Sequence, residues 1–162
     1  MIRYEQRLQH VELLSSAVSD FFAQWSGEAA MVRTAFLLDK AQPPVLWNDF
    51  NSIIHMDGLL LGSVCFSASR KLLSHLLLVS GKSKYEDEEH VALVDQMSRQ
   101  FSGRLRTKYG ASLRVSEPEG FPGKDKDVRK LSKASACAVA FSWRGYEAGL
   151  VVDAYAPSVA SS

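Results

Sequence analysis

Residues 86–109 read EDEEHVALVDQMSRQFSGRLRTKY, and this stretch decides the fold because it specifies one long helix with two distinct faces. Val91, Val94, Met97, Phe101 and Leu105 recur at spacings of three and four, the stripe of an amphipathic helix laid on a larger core. On the other side Glu89, Ala92, Gln96, Arg99, Gly103 and Arg106 recur in the same way, forming a second, mainly polar stripe that a partner could meet. Acidic residues open the helix while Arg104, Arg106 and Lys108 close it, both favourable to the helix dipole. This is ordinary solvated capping rather than an acidic binding patch. Gly110 supplies a C-cap. Gly103 is the anomaly, since a helix-interior glycine costs about 1 kcal/mol relative to alanine. Two explanations stand: close approach of another backbone, or tight packing inside the same domain.

Outside this helix, the 162 residues and 46% apolar content suit one compact domain, read as residues 1–156 with a frayed tail over 157–162. A net charge of +1, with basic residues spread along the chain, provides no footprint for nucleic acid and no polybasic membrane tail. The N-terminus is charged from Arg3 and no apolar run approaches the roughly 20 residues of a bilayer span. The chain is therefore expected in the cytoplasm, with neither nucleic acid nor membrane as a partner. Cys65 and Cys137 lie in apolar, strand-like runs and read as buried thiols of a reducing compartment. His10, His55, His75 and His90 are scattered without HxH or HExxH spacing, and CxxC is missing, so no metal site is expected.

Periodicity predicts a first helix from about Tyr4 to Trp25, closed by Gly27. Strands follow at 31–38 and 45–56, separated by the turn-forming AQPP, and Asp57-Gly58 marks a hairpin into LLLGSVCFSA. These three strands are expected to form a meander. Ser67 or Ser69 caps a short helix, RKLLSHLLLV, which Gly81 ends before the long helix begins. A strand at 112–115 precedes a loop over 116–130, rich in proline, glycine and charge. SACAVAFSW and YEAGLVVDAY then form a hairpin turning at Arg144-Gly145, whose strands are expected at a sheet edge. Helix, three strands, two helices and three strands, mostly joined by hairpins, make an α+β fold with a mostly antiparallel sheet and long helices packed on it. GxGxxG, GxxxxGK[ST] and GxSxG are all missing, so the common phosphate cradles and the nucleophile elbow are not available.

Three segments in this order resemble the CheX branch of the CheC/CheX/FliY family of bacterial chemotaxis phosphatases: DFNSIIHMDGLLLGSVCFSAS (49–69), DEEHVALVDQMSRQFSGRLRTKYG (87–110) and SEPEGFPG (116–123). The likeness runs over about residues 4–155 and includes a GxVxxSF-like strand, here Gly62, Ser63, Val64 and Phe66. It implies a domain that binds a phosphorylated CheY-like receiver and speeds hydrolysis of its aspartyl phosphate. In the family a Glu-x-x-Asn pair, followed four residues later by glycine, does this work. The asparagine amide holds water in line, and the glutamate pairs with a cation beside the phosphorylation site. No cofactor is implied for this chain; magnesium enters only through a bound receiver.

Anchored on Gly103, the glutamate position falls on Gln96 and the asparagine position on Arg99. Gln96 keeps length and hydrogen bonding without the carboxylate, while Arg99 only donates and cannot accept a hydrogen bond from water. A one-residue slip to Asp95 and Ser98 breaks the spacing to Gly103 and turns Ser98 toward the core. Gln96 orienting water while Arg99 lends charge to the phosphoryl group is an alternative. The resemblance thus implies a receiver-binding module with weak or lost phosphatase activity. Glu89, Ala92, Gln96, Arg99, Gly103 and Arg106 form its contact face. The alternatives are an active phosphatase and a homodimeric assembly module that never meets a receiver; the resemblance also implies a homodimer paired through sheet edges.

Overall fold

A computed structural model describes residues 2–37, 49–123 and 136–155. The chain runs through α1 (Ile2–Ser26), β1 (Met31–Leu37), β2 (Phe50–Gly58), β3 (Leu61–Ala68), α2 (Arg70–Val79) and α3 (Asp87–Tyr109). A 3-10 turn at Gly110–Ser112 leads into β4 (Leu113–Val115), β5 (Glu119–Pro122), β6 (Cys137–Trp143) and β7 (Tyr146–Tyr155). The strands form one antiparallel sheet in the order β1-β6-β7-β3-β2-β4, and β5 pairs with the other half of β2.

Local chemistry sets these elements. The Ser69 side chain accepts from the Leu72 amide to cap α2, as the sequence led us to expect. The β6–β7 hairpin closes through Arg144 and Gly145, with φ of 51° and 82°, a left-handed pair that matches the strand twist. Trp143, fully buried beside that turn, donates from Nε1 to Ser26 Oγ (3.2 Å) and Glu28 O (3.1 Å), tying the hairpin to the end of α1. Gly62 has φ of +122°, and a Cβ there would sit 1.6 Å from the Asp153 carbonyl oxygen, so only glycine lets β3 lie this close to β7.

The three helices share one core with one face of the sheet. Leu14, Val18 and Phe22 of α1, Leu72 and Leu76 of α2, and Val94, Met97 and Phe101 of α3 meet Phe50, Ile54, Val64, Phe66 and Leu150. A second buried cluster, Ile53, Cys65, Phe121, Ala136, Ala138 and Val151, occupies the opposite face. β2 and β3 are therefore buried on both sides along most of their length, with Asn51, Ser52, Ser63 and Ser67 among the buried residues. Cys65 and Cys137 are not joined in a disulfide. By register they point to opposite faces, Cys65 pairing with Val151 and Cys137 with Val152. Burial pushes the Cys65 thiol up to about 12.

The α+β architecture expected from the sequence stands, with four local corrections. β1 pairs with β6 rather than β2, so the expected three-strand meander reduces to the β2–β3 hairpin. The terminal hairpin is interior to the sheet, between β1 and β3, and offers no edge; among the described residues the edge on that side is β1. Asp57 and Gly58 end β2, and the chain turns one step later at Leu59 and Leu60, because Gly58 and Leu59 are engaged by the Ser112 backbone. The 116–130 segment, read as loop, contains β5, whose Phe121 is buried and whose Pro122 sits on an outer strand that need not donate. The first part of the strand predicted at 45–56 and the tail at 157–162 lie outside the described residues. Among the described residues no helix is long and apolar enough to cross a bilayer.

His10 of α1 is buried with no hydrogen-bond partner for Nδ1, edge-on to Tyr109 at 5.6 Å. Burial, and then the Lys108 charge, hold its pKa below the ordinary value. The neutral form is thus favoured in the fold, and its stabilisation is complete above the unfolded pKa of about 6.5. It is lost as pH falls from there through the lower folded value. His10→Leu is expected to lessen the drop in urea midpoint between pH 7.5 and pH 5. An unchanged drop would remove His10 from the acid sensitivity.

Candidate functional site

The site is organised by how α3 is seated. Its buried side carries not only Leu93, Val94, Met97, Phe101 and Leu105 but also His90, Ser98 and Ser102. His90 lies within 2.6 Å of the Glu86 carbonyl through Nδ1 and 2.7 Å of Ser74 Oγ through Nε2. A carbonyl only accepts, so Nδ1 carries the proton and Nε2 accepts from the serine. The ring also stacks on Phe50 at 4.9 Å and 13°. This histidine pins the start of α3 to α2 and β2.

About two turns further on, Ser98 Oγ donates to Ser52 Oγ (2.8 Å), which donates to Asp95 Oδ1 (2.8 Å). β5 passes close by: a Cβ on Gly120 would sit 2.6 Å from Asp95 Oδ1 and 2.7 Å from Val91 Cγ1. Asp95 and Ser98 are therefore committed to the underside of the helix, and the slipped assignment of the paired positions is unavailable. At the helix ends Arg70 meets Asp87 at 2.7 Å and Arg104 meets Asp20 at 2.5 Å. Both pairs are partly solvated and add little stability.

With α3 set this way, Ala92, Gln96, Arg99, Gly103 and Arg106 all face solvent in one stripe, and Glu89 is half-buried at its start. The side chains of Gln96 and Arg99 make no hydrogen bond or ion pair with another described residue, which leaves an amide and a guanidinium free for an external group. Arg106 is less free, since its Nη2 donates to the Val115 carbonyl at 3.3 Å and ties the helix to β4. Gly103 is open: no atom outside its own turn lies within 4 Å of where a Cβ would be. Packing against the described residues therefore does not account for it.

Beside the first half of the stripe is a cavity of about 390 Å3. Trp25 of α1 with Leu77 and Leu93 provide its apolar lining, and Lys82, Ser83 and Lys84 come from the α2–α3 connection. Glu89, Ala92 and Gln96 belong to both cavity and stripe. Sequence reasoning placed Trp25 in the core and passed over the lysines. The available signal was the basic KSK immediately after the Gly81 helix stop, opposite the helix face carrying Gln96. Among the described residues no group of three or more His, Cys, Asp or Glu is placed to hold a metal.

No protein-family model and no curated protein matches the chain. Solved structures do. Chemotaxis protein CheX from Vibrio vulnificus superposes with a TM-score of 0.74 at 14% identity, covering 91% of this chain and 99% of that one. The CheX in the CheX–CheY–BeF3–Mg2+ complex from Borrelia burgdorferi gives 0.68 at 15% identity, covering 90% and 97%. Thermotoga maritima FliY gives 0.62 at 14% identity, covering 92% and 90%. The chain has the CheC/CheX/FliY fold. At these identities the likeness fixes the architecture alone, so what the surface of α3 does rests on its own residues.

Within this CheC/CheX/FliY fold, Gly103 provides a direct check on the open stripe. Gly103→Ala fills solvent, removes a flexible helix-interior residue and is expected to stabilise the free protein by about 1 kcal/mol. In a thermal melt that corresponds to a rise of roughly 2–4 °C for a chain of this size. A lowered melting point would mean that Gly103 is packed after all.

Proposed function

We infer that the chain is a receiver-binding module: the exposed stripe of α3 docks on the phosphorylated face of a CheY-type receiver domain in chemotaxis or two-component signalling in the cytoplasm. The observation that carries this is Gly103, a helix-interior glycine with open space in front of it, on the same stripe as an unpartnered amide and an unpartnered guanidinium. A backbone can approach such a helix without meeting a side chain at Gly103, while Arg99 and Gln96 reach forward about one and two turns before it. The Borrelia CheX, of the same fold, was solved with CheY carrying BeF3 and Mg2+.

Chemically, the pair suits recognition better than hydrolysis. Arg99 presents a planar set of donors that fits phosphate oxygens, and Gln96 both donates and accepts. Holding an attacking water in line requires an acceptor placed over the phosphorus. Arg99 offers none, and Gln96 brings no negative charge to pair with a receiver cation. Binding with weak or lost phosphatase activity follows from these two side chains. Magnesium, where present, belongs to the receiver.

Calorimetric titration with a receiver in beryllofluoride-activated and unmodified forms is expected to show a complex that favours the activated form. The lack of any complex with cognate receivers would reject the reading. Gln96→Glu together with Arg99→Asn is expected to make receiver-phosphate decay faster than with the unaltered chain. An unchanged rate in a variant that still binds would show that the two side chains are not what limits hydrolysis.

A homodimer is a compatible second reading, favoured by β1. This edge strand exposes Met31 (70%) and Val32 (51%), and its outer ladder is unpaired among the described residues. Light scattering is expected to give twice the chain mass, and Val32→Lys to reduce it to one. A monomer at tens of micromolar would remove the dimer and leave receiver binding untouched.

A further inference from the structure

The cavity beside α3 has the makings of a small-molecule site that receiver docking does not require. Its volume of about 390 Å3 lies in the range of ligand pockets, about 300–1,000 Å3. Trp25 lines it with a flat indole whose ring is already stacked on Phe21 at 5.5 Å and 27°, so its position is fixed from within the core. Leu77 and Leu93 extend the apolar surface.

The polar side is equally well mounted. The α2 stop bonds the Gly81 amide to Leu78 O (3.1 Å) and the Lys82 amide to Leu77 O (2.9 Å), and the Tyr85 hydroxyl donates to Lys82 O (2.7 Å). The connection is thus anchored through the Lys82 backbone, and neither the Lys82 nor the Lys84 ammonium meets a carboxylate among the described residues. Two unpaired cations on a fixed backbone beside an apolar wall suit an anion with a hydrophobic body. On the α3 side Glu89 contributes an acceptor, and its Oε2 is enclosed with no donor among the described residues. A ligand N–H reached by rotation of that side chain would satisfy it.

We propose that this cavity binds a small aromatic organic anion. Its ring lies against Trp25, Leu77 and Leu93, its anionic group is held by Lys82 and Lys84, and its N–H faces Glu89. The site shares Glu89, Ala92 and Gln96 with the receiver-contact stripe, but its ligand differs and it is tested without a receiver.

The probe is 8-anilinonaphthalene-1-sulfonate, an aromatic sulfonate with an N–H, titrated into the whole chain beside its uncharged analogue N-phenyl-1-naphthylamine. One-to-one saturable binding of the sulfonate is expected, accompanied by quenching of tryptophan emission. Lys82→Gln with Lys84→Gln is expected to weaken the sulfonate roughly tenfold and leave the uncharged analogue within about twofold. Ala92→Trp, which fills the cavity from an exposed position, is expected to abolish both. Circular dichroism confirms folding of each variant. Several overlapping sites, equal loss of both dyes in the lysine variant, or full affinity in Ala92→Trp would each overturn the proposal. So would binding of the uncharged dye alone, which would point to a partner's apolar side chain as the occupant.

Discussion

Everything outward-facing in this molecule depends on the hydroxyl chain from Ser98 through Ser52 to Asp95 beneath α3. Each step along a helix turns the side chain by about 100°. A rotation of α3 by one residue would break both bonds and leave buried groups unsatisfied, at about 1–3 kcal/mol each. It would also carry Met97 and Phe101 out of the core, where each contributes roughly 1.5–3 kcal/mol. His90, held by Glu86 and Ser74, repeats the constraint about two turns before Ser98. Gly120 lets β5 come close enough to complete the seat.

The polar underside thus determines the polar outside. Because Asp95 and Ser98 are used inward, Gln96, Arg99 and Gly103 are the residues left to solvent, in the spacing of a Glu-x-x-Asn pair and its following glycine. At the pair, Gln96 stands where a carboxylate would be and Arg99 where an amide would be, while Gly103 keeps the surface beside them open. The nearby cavity follows from the same rotation, since it brings Glu89, Ala92 and Gln96 to the edge facing the α2 stop and Trp25.

The helices were legible in the sequence because periodicity is local, and Gly27, Gly81 and Gly110 mark their ends within a residue or two. The Arg144-Gly145 turn was legible for the same reason. Strand partners were not: β1 pairs with β6, about a hundred residues away, and nothing in MVRTAFL names that partner. β5 was missed because four residues with two glycine or proline positions carry no alternation to detect. The exposed stripe could be read directly, but the reason for Gly103 could not, because empty space in front of a residue leaves no trace in spacing. Helix spacing already turned Ser98 toward the core, but did not reveal the partners that let Ser98 and Ser102 be buried there, Ser52 and the helix backbone. The cavity needed Trp25, Lys82 and Gln96 from three elements to be brought together.

The central claim is that the solvent face of α3 is the contact surface. Amide chemical shifts of the labelled chain, followed during titration with a beryllofluoride-activated receiver, test it residue by residue. The account expects the largest shifts at Ala92, Gln96, Arg99 and Gly103, with β1 little affected. Shifts confined to β1 or to the opposite face of the sheet, with α3 silent, would contradict it.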